Sequence, residues 1–200
     1  MLNAHTVYAD GHAETGRNGP AGCGWVILGP GAQMTEGLAG LGWCDQTRAE
    51  IAALALALRA CPDAANVALF TDNQAALTAC RHALTHAVPR GKWRARRGLI
   101  AALADQFDRL ARVEAVHLPA SAGVLHHTRA DTLARTACDH EAAVCAACLN
   151  PGANPDPTIC CSAALCTACT PGAHACPVCR DYPGGSALPP ALRHPCEPVF

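Results

Sequence analysis

His5-Thr6-Val7-Tyr8-Ala9-Asp10-Gly11 is the stretch on which the fold of this 200-residue chain turns. Its alternation makes it a strand, with Val7 and Ala9 on one face and Thr6, Tyr8 and Asp10 on the other. Aspartate is depleted from strands, and a carboxylate on a covered sheet face needs a partner or stays neutral. An Asp before a Gly also starts turns. Asp10 is therefore a site residue only if other segments bring acids to it, and three later segments carry such acids.

The totals allow one good-sized domain, or one domain of about 140 residues plus a small module. Half of the residues are hydrophobic, largely Ala, while aromatics make up 4 %. That suffices for a core, and no stretch is long and apolar enough to span a membrane. The N-terminus runs straight into the first strand without a secretory signal, so a cytoplasmic protein with no membrane partner is expected. A net charge of −1 hides an uneven distribution. Residues 81–97 carry Arg81, Arg90, Lys92, Arg94, Arg96 and Arg97 and no acid. Ten of the 14 cysteines lie from Cys138 onward, whereas Cys23, Cys44, Cys61 and Cys80 are scattered singly, as reduced cysteines are.

Along the chain, residues 12–22 read as a polar, Gly-rich connection, and Gly24-Trp25-Val26-Ile27-Leu28 as the second strand. Gly29-Pro30-Gly31 is a turn, and residues 33–41 form a third strand that completes an antiparallel meander. Residues 49–58 form a helix whose one charge is Glu50, and a helix apolar all round is a covered one. Val67-Ala68-Leu69-Phe70 is a continuous apolar run, as in a strand covered on both faces. It leads to Asp72, at the carboxyl end of a strand, where open α/β sheets place their sites. Helices follow over residues 74–80 and 98–110, with the basic, Trp93-containing segment before the second. Val113 to His117 is a fifth strand, residues 118–127 are a loop, and a last helix contains Ala130 to Arg135.

The order β-β-β-α-β-α-β-α, with acids on the first strand, first helix, fourth strand and last helix, resembles the type 1 ribonuclease H domain over residues 5–140. Four segments carry the resemblance. They are Tyr8-Ala9-Asp10-Gly11 with Gly19-Pro20 and Gly24; Thr47-Arg48-Ala49-Glu50; Phe70-Thr71-Asp72-Asn73-Gln74; and Arg129-Ala130-Asp131-Thr132-Leu133-Ala134. It implies an α/β fold, a ribonuclease H-like five-stranded mixed sheet flanked by helices. The domain would occupy residues 1–143, followed by a zinc-stabilised Cys-rich module at 144–182 and a Pro/Gly-rich tail at 183–200.

The same resemblance implies that Asp10, Glu50, Asp72 and Asp131 converge. Packed carboxylates repel unless cations neutralise them, and Mg2+ or Mn2+, two ions per active site, would do so. Asp10 and Asp72 would be the central ligands, with Glu50 on the leaving-group side and Asp131 on the side of the attacking water. The expected reaction is endonucleolytic hydrolysis of the RNA strand of an RNA–DNA hybrid, giving a 5′-phosphate. Asn18, Gln46, Gln74, Arg90, Lys92, Trp93, Arg94, Arg96 and Arg97 are the expected substrate contacts. Phosphate contacts of this kind position a duplex without reading its sequence. A solvated basic surface is the other reading of that run.

The sequence departs from the family where a loop histidine usually precedes the last acid. Ser121 occupies that distance, and His117, His126 and His127 are the histidines nearby, with His126 and His127 able to serve as the loop histidine. This departure keeps open a catalytically weak or redirected nucleic-acid-binding protein.

The tail reads Cys145-x2-Cys148, Cys160-Cys161, Cys166-x2-Cys169 and Cys176-Pro177-Val178-Cys179. Without an export signal, such clustering indicates Zn2+ rather than disulfides. One Zn2+ follows from paired Cys-x2-Cys ligands, and all eight cysteines would serve two. The segment is similar to a RING finger, with Ala163 at the usual His position, so that Cys160 or His174 would complete a second site. A structural or nucleic-acid-gripping module is one reading of it. An adaptor surface for a protein partner is the other.

Overall fold

The computed structural model describes residues 4–14, 19–86 and 90–139, with every side chain in them except those of residues 92, 94, 95 and 120. The expected zinc module and tail lie outside the described residues. The elements run β1 (Ala4–Ala13), β2 (Gly19–Leu28), β3 (Met34–Cys44), α1 (Gln46–Arg59), β4 (Asn66–Thr71), α2 (Gln74–Leu84), α3 (Arg97–Arg109), β5 (Arg112–His117) and α4 (Leu125–Ala137). The sheet order is β3-β2-β1-β4-β5. The first three strands form the expected antiparallel meander, and β4 and β5 run parallel to β1.

Alternation along β1 sorts the two faces as the sequence predicts. Val7 and Ala9 are fully buried in the main core with Ile51, Leu54 and Leu58 of α1, Leu69 of β4, and Leu99 and Leu103 of α3. Tyr8 points the other way, into a smaller cluster of Val26, Ala130 and Leu133 beneath α4. Its ring stacks on Phe70, its register partner in β4, at 5.2 Å between centroids. Three helices thus cover one face and α4 the other. Among the described residues no helix is long and apolar enough to cross a membrane.

The residues expected as a connection, 12–22, are mostly strand, since β1 continues to Ala13 and β2 begins at Gly19. Glycine is poor strand material, and here close packing accounts for it. A Cβ on Gly24 would lie 2.3 Å from the Ala130 carbonyl oxygen and 2.5 Å from the Ala134 nitrogen. On the opposite face, a Cβ on Gly11 would lie 2.2 Å from the Ala49 carbonyl carbon. Missing side chains therefore let α1 and α4 approach β1 and β2 at backbone distance, and both helices carry acids.

Local chemistry fixes the helix ends. Asp45 caps α1 by accepting from the Arg48 N–H at 2.9 Å, and Asn73 caps α2 by accepting from the Ala75 and Ala76 N–H groups at 2.9 and 3.0 Å. At the other end of α1, Arg109 of α3 donates to the carbonyls of Leu58 and Cys61 at 2.7 and 2.9 Å. Cys23, Cys44, Cys61 and Cys80 are free and buried. Burial pushes the Cys61 thiol up to about 11 and that of Cys80 up to about 12, so both are protonated at neutral pH.

Candidate active site

The parallel pairing of β1 with β4 sets Tyr8 opposite Phe70, so one further step along each strand on the α4 side reaches Asp10 and Asp72. From the opposite side α1 delivers Glu50, which accepts a hydrogen bond from the Gly11 N–H at 3.2 Å. Asp131 enters from α4, close enough for its charge to act on Asp10. All four predicted acids line one cleft of about 350 Å3, together with Gly11, His12, Gln46, His127, Thr128 and Arg135.

Asp10 and Glu50 are almost fully buried. Burial, reinforced by the charges of Glu50, Asp72 and Asp131, pushes the Asp10 carboxyl up to about 9. Burial likewise raises Glu50 to about 7, against hydrogen bonds from Gln46, Asn73 and the Gly11 backbone that favour its charged form. Such a donor set, all oxygen, crowded and reluctant to ionise alone, suits hard divalent cations, which restore the charged form of each carboxylate.

Neighbouring side chains fix the acids in place. Gln46 accepts from the Ala13 N–H at 2.8 Å, donates to Glu50 at 2.9 Å and donates to the Gly11 carbonyl. Its amide thereby ties α1 to β1 at the point where their two acids meet. His117 Nε2 lies 3.1 Å from the Asp72 carbonyl oxygen and steadies the end of β4. Arg135, one turn beyond Asp131, holds both its carboxylate oxygens at 3.0 Å.

Neither histidine named for the loop lies in it, because α4 begins at Leu125 and carries both in its first turn. His126 packs on the Tyr8 ring at 5.7 Å. His127 turns into the cleft, with Nε2 3.8 Å from an Asp72 carboxylate oxygen. Ser121, at the position of the usual loop histidine, lies in a short 3-10 turn, Ala120–Ala122.

Of the expected substrate contacts, Gln74, Arg90 and Arg97 are exposed. Trp93 packs against the main core and His82, with 5.4 Å between ring centroids. Arg96 lies 5.9 Å from the Trp93 ring centre and meets both Asp45 carboxylate oxygens at 3.2 Å. The basic segment is thus anchored to the N-terminus of α1, the helix that supplies Glu50. Asn18, the side chains of Lys92 and Arg94, and the cysteines Cys145 to Cys179 lie outside the described residues.

Asn73 and Arg135 carry no mark as site residues in the sequence. The available signals were an Asn directly before an apolar helix, where it caps, and an Arg four residues after an Asp on one helix face.

A family description, RNase H, matches residues 3–139 of the chain. The crystal structure of RNase H1 from the halophilic archaeon Halobacterium salinarum NRC-1 is similar, at 26 % identity and a TM-score of 0.55, covering 68 % of this chain and 98 % of that one. The N-terminal RNase H domain of rv2228c from Mycobacterium tuberculosis, solved as a fusion with maltose-binding protein, shares the fold. It is 21 % identical, with a TM-score of 0.53 and coverage of 68 % of this chain and 94 % of that one. No curated protein sequence matches the chain.

Proposed function

Because the chain belongs to the RNase H family, we propose that it is a divalent-metal-dependent endonuclease that hydrolyses the RNA strand of RNA–DNA hybrids and leaves a 5′-phosphate. The observation that carries this reading is the meeting of Asp10, Glu50, Asp72 and Asp131 in one cleft, two of them buried and raised.

Asp10 and Asp72 are the central metal ligands in this reading, flanked by Glu50 and Asp131. Two Mg2+ or Mn2+ ions held there would supply an activated water and neutralise charge on the leaving 3′ oxygen. The chain's own part is positioning. Gln46 and the Gly11 N–H aim Glu50, His117 holds the backbone of Asp72, and Arg135 orients Asp131. The exposed Gln74, Arg90 and Arg97, with Lys92 and Arg94, receive the duplex backbone. Incubation with labelled RNA–DNA hybrid, duplex RNA and duplex DNA, each in Mg2+ or Mn2+, tests the assignment. Cutting confined to the RNA of the hybrid supports it, while an intact hybrid beside a cut alternative substrate points to the redirected reading, which Ser121 at the loop position favours.

Neutralising Arg90, Arg94 and Arg97 together is expected to raise KM more than it lowers kcat. It should also flatten the salt dependence of binding by about 0.9 log units per lost phosphate contact. Filter binding across a salt series reads this, and an unchanged slope reduces the segment to solvated surface.

The cysteine spacing supports a Zn2+ module C-terminal to the nuclease domain, dependent on metal for its fold. Elemental analysis of protein prepared under reducing conditions is expected to give one or two Zn2+ per chain. Disulfide-paired cysteines without zinc would overturn this part of the reading.

A further inference from the structure

We propose that His127 is a nitrogen ligand of the catalytic metal centre, and that it shifts the ion preference of the site from Mg2+ toward first-row transition ions. The proposal rests on the metal-dependent reading above and adds to it a ligand from outside the four acids.

Three observations lead to it. Donor atoms of Asp10, Asp72 and His127 all lie within 4.8 Å of one another, a cluster of the kind that gathers round a single ion. His127 Nε2 is buried and has no hydrogen-bond partner, an expensive state for a ring nitrogen. Its distance of 3.8 Å to the Asp72 carboxylate is too long for a hydrogen bond. It falls between the separations of two donors of one ion, which at bond lengths of about 2.1 Å sit about 3 Å apart when adjacent and about 4 Å apart when opposite.

Helix geometry explains why this ligand and Asp131 are not redundant. The two are four residues apart on α4 and share its sheet-facing side. Asp131 has both its oxygens engaged by Arg135, whereas the ring nitrogen of His127 lies 3.8 Å from Asp72 and has no hydrogen-bond partner. The centre then holds one imidazole among carboxylates. Imidazole suits transition ions, while Mg2+ keeps to oxygen.

Mn2+ is the probe, added to the full chain and followed by electron paramagnetic resonance. Expected are Mn2+ binding that Asp10→Asn abolishes and a histidine nitrogen coupling in the electron spin echo that His127→Ala removes. The Mn2+ Kd in His127→Ala should rise roughly tenfold or more, and Mg2+ affinity, read by competition, should change less than about threefold. His127→Gln, which keeps a polar side chain of similar length, is expected to lose the nitrogen coupling as well while melting at the wild-type temperature. A Mn2+ site that depends on Asp10 but shows only oxygen ligands, or an unchanged Kd in both variants, overturns the role of His127 and leaves the metal reading standing. A chain that binds no Mn2+ at Asp10 overturns both.

Discussion

Asp10→Asn is expected to abolish hydrolysis in either metal and, in chelator at pH 8, to make the protein more stable than the wild type. Both outcomes come from one carboxyl. In the folded chain burial and three acidic neighbours raise Asp10 to about 9, and burial raises Glu50 to about 7. The unfolded chain ionises both near the ordinary carboxylate range. Between those limits the folded state holds more protons, so the stability these groups contribute is fully present in acid and is lost as the pH climbs through about 7 and then about 9. An isosteric amide removes the Asp10 share of that loss. Each tenfold change in proton affinity is worth about 1.4 kcal/mol, which puts the gain at pH 8 on the order of a few kcal/mol. It should shrink toward zero near pH 4. Divalent ions reverse the ranking, because they bind and stabilise the wild type in proportion to occupancy and leave the variant behind. Urea denaturation at several pH values, with and without Mg2+, reads all of this. A variant no more stable than wild type in chelator at pH 8 contradicts the account of the buried cluster.

Gly24→Ala is expected to cost both stability and activity, although its Cα lies on the strand partner of Asp10 and touches no reacting group. The added methyl would sit 2.3 Å from the Ala130 carbonyl and 2.6 Å from the Leu133 Cβ, and neither backbone nor packed Cβ can fold aside as a flexible tip would. Helix α4 must back away from the sheet. Overpacking of this kind costs about 1–3 kcal/mol and occasionally more. The same helix carries His127 and Asp131, and a displacement of about 1 Å at a catalytic group can cost about a hundredfold in rate. Gly29→Ala is the control, since its nearest neighbour would be an ordinary 3.6 Å away. Rates normalised to folded protein separate the two effects, and a Gly24→Ala enzyme with wild-type rate and melting point would show that α4 is free to shift.

The strand and helix pattern was legible where burial dictates composition. Alternation in β1 sorted Val7 and Ala9 from Tyr8 and Asp10, and the apolar run of α1 announced a covered helix. Boundaries were misjudged where one residue type has two uses. Gly19 and Gly22 read as loop punctuation, yet both are strand residues, and Gly22 is shaped by the approach of a helix more than a hundred residues later. The start of α4 was hidden for a different reason. Val124 precedes it and no side chain caps it, so nothing local separates His126 and His127 from the loop. All four acids could be named in advance because the order of motifs carries them. What Arg96 does could not, since Asp45, its partner, lies 51 residues away in sequence.

The packing of α4 over β1 and β2 also sets when the acidic cleft can form. The cleft needs Asp10, near the start of the chain, and Asp131, on the last described helix. During synthesis at about 5–20 residues per second, roughly 6–25 s separate the appearance of these two acids. Until α4 arrives, the glycine-lined face of the first hairpin has nothing to close it, and the nascent chain holds an incomplete set of ligands. The four-acid cleft is therefore complete only once α4 has left the ribosome and packed onto the sheet.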